Sequence, residues 1–250
     1  MDGASKVEAL KVKTLKVEAL HVETLHGGTQ PRTIGILGAG KVGTGVARQA
    51  LLAGYRVLIA ASGDPATIGL IIQVMAPGAE AVAAERVMAE ADLVVLSVPL
   101  HKFRTLDPAG LAGKHVVDTM NYWQDTNGDM PELADAPSSS EMVLAHIPGT
   151  RLAKSLNHIG YHELELDARP AGAADRRALA VSTDDDDTRA LVLDFIERLG
   201  FDAVDAGPLA NGTAFEPGTP IFTGWYDRAG VEAELATHLA GERELEPAAG

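Results

Sequence analysis

The chain has 250 residues, of which 46% are hydrophobic and 22% charged, the balance of a folded protein with a substantial buried core. Its formal net charge of -14 argues against general affinity for nucleic acid or anionic membrane, and the absence of cysteine excludes disulfides, thiolate metal sites and a cysteine nucleophile. No apolar run approaches the roughly 18 residues of a membrane span, and MDGASKVEALKVKTL at the start lacks the apolar centre of a secretory signal, so the expectation is a cytoplasmic protein.

In chain order, residues 6–25 read KVEAL-KVKTL-KVEAL-HVETL. Their valines and leucines recur every five residues, which holds neither one face of a helix nor the alternation of a strand. Residues 1–31 are therefore expected to be a poorly ordered extension, closed by HGGTQP at 26–31. From Thr33 short β-branched runs alternate with helical stretches: TIGIL (33–37), RVLIA (56–60), DLVVLSV (92–98), HVVDTM (115–120), RLAKSL (151–156) and ALAVS (178–182). Near-continuous apolar strands separated by helices predict a doubly wound α/β domain, a parallel sheet covered on both faces, over residues 32–210.

Helix signals agree. Val42, Val46, Ala50 and Ala53 share one face with Gly54 just beyond, and Asp64-Pro65 reads as an N-cap followed by proline at the first helical position. Asp184 to Asp187 stand before a helix predicted over 188–199, where acids cap N–H groups. They lack the spacing and glycine of a calcium loop. Ser138-Ser139-Ser140 reads as a loop and helix cap, with no nucleophile elbow around it. A strand at FDAVDAG follows, and residues 211–250 form a Gly/Pro-rich closing segment, a short helical stretch and a tail (GERELEPAAG) without a second core.

Gly38-Ala39-Gly40-Lys41-Val42-Gly43 matches G-x-G-x-x-G between an apolar strand and an amphipathic helix, the context in which that pattern cradles a dinucleotide. The first glycine permits the tight turn, the second admits a pyrophosphate and the third lets helix and strand pack closely, with free N–H groups facing the anion. A site preferring NAD ends in an acid about 20 residues further on. Here Ala60-Ala61-Ser62-Gly63 fills that region and no acid occurs before Asp64, which suits the 2′-phosphate of NADP.

"TIGILGAGKVG", the Ser62 turn, "ADLVVLSVP", "VVDTMN", "AKSLN" and "AGPLANGTAFEPGTPIF" resemble the NADP-dependent oxidoreductases of the deazaflavin coenzyme F-420, over residues 32 to 224. The resemblance implies a Rossmann-type fold and hydride transfer between NADPH and a flavin-like ring, with ring alignment doing most of the work. It implies pyrophosphate binding by Gly38 to Gly43 and a 2′-phosphate contact from Ser62. It also implies that Val98, Pro99 and Leu100 border the cofactor path and that Asn121 lies at the nicotinamide end. The family commonly has Ser-Arg where this chain has Ser62-Gly63, and a lysine where it has Thr67. "NYWQDTNGD" replaces a simpler Asn-Pro, which leaves room for a flavin or another small-molecule acceptor.

Outside the glycine loop, Lys154 and His158 are candidate proton donors and Asn157 a candidate nicotinamide partner. They would serve an alternative activity, reduction of a small carbonyl or imine. A non-catalytic NADP-binding redox sensor is a further alternative. Tyr122 and Trp123 read either as a wall for a planar acceptor or as packing. The His158/His162 pair, interrupted by Gly160, reads as ring stacking rather than a metal site. The resemblance implies that EPGTPIF (216–222) closes over the cofactors or joins a subunit contact in a homodimer, whereas its proline-rich composition alone reads as a mere connection.

Overall fold

A computed structural model describes residues 33–133 and 136–245; the five-residue repeat lies outside them. The chain first alternates β1 (Thr33–Leu37), α1 (Lys41–Leu52), β2 (Arg56–Ala60), α2 (Pro65–Met75), β3 (Glu80–Ala81), α3 (Ala84–Glu90) and β4 (Leu93–Leu96). It continues through α4 (Pro108–Leu111), β5 (His115–Asp118), α5 (Gln124–Asn127), α6 (Ser139–His146), β6 (Arg151–Lys154), α7 (Glu163–Leu166) and β7 (Ala178–Thr183). The last elements are α8 (Asp186–Leu199), β8 (Asp202–Gly207), α9 (Pro220–Thr223) and α10 (Arg228–Leu245).

The strands form one sheet in the order β3-β2-β1-β4-β5-β6-β7-β8. Strands β1 to β6 are parallel, as the apolar runs predict. β7 is antiparallel to β6, and β8 is parallel to β7, so the expected parallel sheet is extended at one edge by two strands of reversed direction. The reason lies in the connection. A parallel crossover needs a helix long enough to travel back along the sheet, whereas residues 155–177 carry only the four-residue α7. The chain stays at the carboxyl end of the sheet and re-enters from there.

Helices cover both faces. Ile34, Ile36, Val46, Ala50, Phe195 and Ile196 typify the core on one side, between the sheet and α1 and α8. Leu58, Val94, Leu96, Val116 and Met142 typify the other, under α3 and α6. Along β7 the side chains alternate, Leu179 and Val181 entering the first core while Ala178 and Ala180 join a third. That third cluster is closed by Phe215, Ile221, Val231 and Leu235. The predicted short helical stretch is thus the 18-residue α10, which takes in the first residues of the expected tail. Its apolar contribution is little more than the pair Val231 and Leu235, too sparse for periodicity to reveal its length.

Caps follow the sequence. Asp64 accepts from Ala66 N–H, Asp185 from Thr188 N–H and Ser138 from Glu141 N–H. The helix predicted from 188 begins two residues earlier, and it ends on Gly200 in the left-handed region (φ 102°). Among the described residues no helix is long and apolar enough to cross a membrane.

Candidate functional site

Two clefts border the start of α1. The first, about 470 Å³, is lined by Gly38, Ala39, Gly40, Ser62, Val98 and Pro99 among others. Its floor is the glycine loop. Gly38 has φ 123°, and a Cβ there would stand 2.4 Å from the Ser97 carbonyl oxygen. A Cβ on Gly43 would stand 1.9 Å from the Gly38 carbonyl oxygen, so α1 can sit this low on β1 only without a side chain. A Cβ on Gly40 would meet no protein atom within 4 Å; that side of the loop is open. Gly40 is the N-cap of α1 and no side chain caps the helix. The first-turn N–H groups are thereby left for an anion at the positive end of the helix dipole. The residues present fit a dinucleotide pyrophosphate.

Ser62 lines the same cleft and is exposed. Gly63 has φ 97°, a conformation in which an arginine would be strained, and Asp64 spends its carboxylate on the α2 cap. The turn therefore presents a hydroxyl with no cationic side chain within its own residues 60–64. Lys102 reaches this cleft from the tight helical turn Leu100–Thr105, and Glu85 and Asp107 also line it. Lys102 was not singled out from the sequence, because nothing local marks it; β4 and the turn after it bring it to the cleft that Ser62 also lines. Leu100 does not border the cofactor path. It is buried in the core with Phe103 and Leu106, since the turn points its side chain under the sheet. Lys41 is exposed and stands 5.3 Å above the Tyr161 ring, and Val42 turns to the second cleft.

That second cleft, about 390 Å³, has aromatic walls: Trp123, Tyr161, Phe222 and Trp225. Trp123 meets Phe222 edge-on with ring centroids 5.5 Å apart. Tyr122 is absent from the wall; its hydroxyl is bonded to Gln124 and to the Gly128 carbonyl. Asn121, Asn157 and His158 form the polar side. Asn121 Nδ2 donates to the Asn157 carbonyl at 2.7 Å, and Asn157 Nδ2 donates to Asn121 Oδ1 at 3.1 Å and to the Phe215 carbonyl at 2.8 Å. Both Asn157 donors are thus committed to protein, so only its Oδ1, which accepts from His158, keeps a lone pair to offer a nicotinamide amide. Asn121 keeps one N–H and one lone pair for a carboxamide.

His158 is not a proton donor. It is 2% exposed, and its Nε2 accepts from Ala180 N–H at 3.0 Å. That leaves the proton on Nδ1, which donates to Asn157 Oδ1 at 3.1 Å. Burial, helped by the Arg177 and Lys154 charges, pushes its pKa down to about 3. The neutral ring has no proton to spare at neutral pH. Because the folded pKa lies below the unfolded one, the unfolded chain binds the proton first on acidification. The contribution of His158 to stability is complete above about pH 6.5 and is lost as pH falls towards 3. Urea titrations across that window should show a smaller pH dependence in His158→Gln than in the natural chain; equal slopes would refute this assignment.

Lys154 is not a proton donor either. It is 0% exposed, and its Nζ contacts Asp118 Oδ2 at 3.3 Å, the Met120 carbonyl at 2.5 Å and Ser139 Oγ at 3.3 Å. Asp118 and Lys154 are register partners on β5 and β6. Asp118 also accepts from Met120 N–H at 2.8 Å and from Ser140 Oγ at 2.6 Å. The ion pair thus fixes the turn after β5, which carries Asn121. Leu156, two residues beyond β6, has φ 60°, a conformation unusual for a branched residue, and Asn157 and His158, both buried, follow this bend. His162 packs edge-on against Tyr161.

The arrangement offers a phosphate cradle, a partner for a carboxamide and flat apolar walls. It suits alignment of rings more than acid catalysis.

The family described as NADP oxidoreductase coenzyme F420-dependent matches residues 33–122. A hypothetical protein of Sinorhizobium meliloti is similar in structure, with 27% identity and a TM-score of 0.64 over 78% of this chain and 94% of that one. A candidate F420-dependent NADP reductase of Arthrobacter sp. FB24 has 24% identity and a TM-score of 0.60, over 86% and 95%. An imine reductase of Myxococcus stipitatus, a variant in complex with NAD+, shares the fold at 14% identity and a TM-score of 0.51, over 86% and 64%. No curated protein matches the sequence.

Proposed function

We propose that this chain, whose residues 33–122 match the family described as NADP oxidoreductase coenzyme F420-dependent, is an NAD(P)-dependent oxidoreductase that moves hydride between NADPH and a planar deazaflavin or flavin-type ring. The observation that carries the reading is the pairing of the two clefts at the start of α1, a phosphate cradle on one side and an aromatic cavity on the other. NADPH supplies the hydride. The glycine loop would hold its pyrophosphate, Asn121 would bond the carboxamide, and Trp123, Phe222 and Trp225 would offer apolar faces to the acceptor. The alternative of a carbonyl or imine reductase loses its support, since both of its expected proton donors are buried and fully engaged.

Titration with NADPH, then addition of F-420 or FMN while following the reduced nicotinamide band, tests the proposal. Binding followed by ring-dependent oxidation is the expected outcome. Binding without oxidation by either ring would favour a sensor, and no binding would overturn the reading of the glycine loop.

Preference for NADP is expected to rest on Ser62 together with Lys102. Lys102→Ala should weaken NADPH by roughly tenfold through loss of a charge-assisted phosphate contact, with NADH changed less than about twofold. Equal losses for both nucleotides would place Lys102 on the shared part of the cofactor instead.

A further inference from the structure

The segment 215–225 is fastened at three points around the aromatic cavity. Asn157 Nδ2 holds the Phe215 carbonyl at 2.8 Å. One residue on, the Glu216 carboxylate accepts from the Ser139 backbone N–H at 3.1 Å and, in a short contact, from Ser139 Oγ. At the far end Arg177 donates to the Gly224 carbonyl at 3.3 Å. Between these points Thr219 Oγ1 accepts from Phe222 N–H and starts α9, which brings Phe222, Gly224 and Trp225 to the cavity wall.

The chemistry at Glu216 favours an acid. Ser139 opens α6, so the carboxylate lies at the positive end of a helix. Ser139 Oγ in turn receives Lys154 Nζ at 3.3 Å, which links the fastening to the buried ion pair under Asn121. Arg177 is buried and shared: its Nη1 donates to Glu163 and Asp167 at 2.9 Å each, and its Nη2 to the His158 carbonyl at 3.2 Å. Glu216 lines neither cleft, yet it ties the start of α6 to the segment that closes the cavity.

We propose that Glu216 is a positioning residue for the hydride acceptor. By pinning the 215–225 segment to the start of α6 it holds Phe222 edge-on against Trp123 and keeps Trp225 at the cavity wall beside them. Acceptor affinity depends on it and cofactor affinity does not. This rests on the reading of the aromatic cavity as the acceptor site.

The chain contains two tryptophans, and both line this cavity, so tryptophan emission, excited selectively over tyrosine, reports on it. In the full chain Glu216→Ala should raise acrylamide quenching. It should also raise KM for F-420 or FMN roughly tenfold, the loss of a hydrogen bond to a charged group. Values of kcat within about twofold and an unchanged NADPH Kd complete the expectation. Glu216→Gln keeps an acceptor oxygen for Ser139 and should recover most of both effects. Wild-type quenching and KM in Glu216→Ala would overturn the proposal. A parallel fall in NADPH affinity would also overturn it, by making Glu216 a support of the whole fold. If neither ring is reduced by the natural chain, the acceptor reading falls by itself. The quenching comparison of the two variants then still decides whether Glu216 holds the segment.

Discussion

Gly43→Ala is expected to abolish NADPH binding, weakening it at least a hundredfold. The added methyl would stand 1.9 Å from the Gly38 carbonyl oxygen and 2.8 Å from Ser97 Oγ, far inside van der Waals contact. The Gly38 oxygen is backbone and already accepts from Ser97 Oγ at 3.3 Å, so it has no flexible end to move aside. Relief requires lifting α1 away from β1, which displaces the N–H groups that face the pyrophosphate and costs about 1–3 kcal/mol of stability. Gly40→Ala is the informative companion, because its Cβ meets no protein atom. It should leave the melting temperature unchanged while still weakening NADPH, by intruding on the ligand rather than on the fold. Fluorescence titration and thermal melts on both variants check this. Wild-type affinity in Gly43→Ala would show that the helix does not need to lie this close to the strand.

The second large effect concerns Lys154. Lys154→Met leaves Asp118 buried without its cation, and breaking one side of a buried pair typically costs about 3–5 kcal/mol. Loss of the Met120 carbonyl contact at 2.5 Å should also loosen the turn that carries Asn121. The double variant Asp118→Asn/Lys154→Met removes both charges and should regain at least half of the lost stability. Urea unfolding of the single and double variants measures this. A single variant within about 1 kcal/mol of the natural chain would contradict the view that the pair fixes the turn. Acceptor turnover should fall in the single variant even at temperatures where it remains folded, because Asn121 is displaced.

The two residues chosen from the sequence as proton donors illustrate where reading a chain stops. Lysine and histidine after a strand's carboxyl end are reasonable candidates for chemistry, since ligands lie there in doubly wound sheets. Whether such a side chain faces the cleft or the interior depends on the register of the neighbouring strand and on the bend that follows. The pairing of Asp118 with Lys154 and the φ of 60° at Leu156 decide it here, and neither is visible in a local pattern. The antiparallel entry of β7 escaped for a similar reason: its apolar run reads alike in either direction.

What the sequence determined alone was local in character. TIGIL, the glycines at 38, 40 and 43 and the amphipathic stretch after them interact within about twenty residues, so their spacing carries the geometry of the cradle. The caps at Asp64 and Ser138 and the stop at Gly200 are equally local. Only the tertiary structure brought Lys102 into the cleft that Ser62 lines, gathered Trp123, Phe222 and Trp225 around one cavity and tied Glu216 to Ser139, 77 residues away in the chain. Such contacts arise from how the sheet orders its strands and where the last segments return, and their energy comes from burial and pairing that no window of sequence contains.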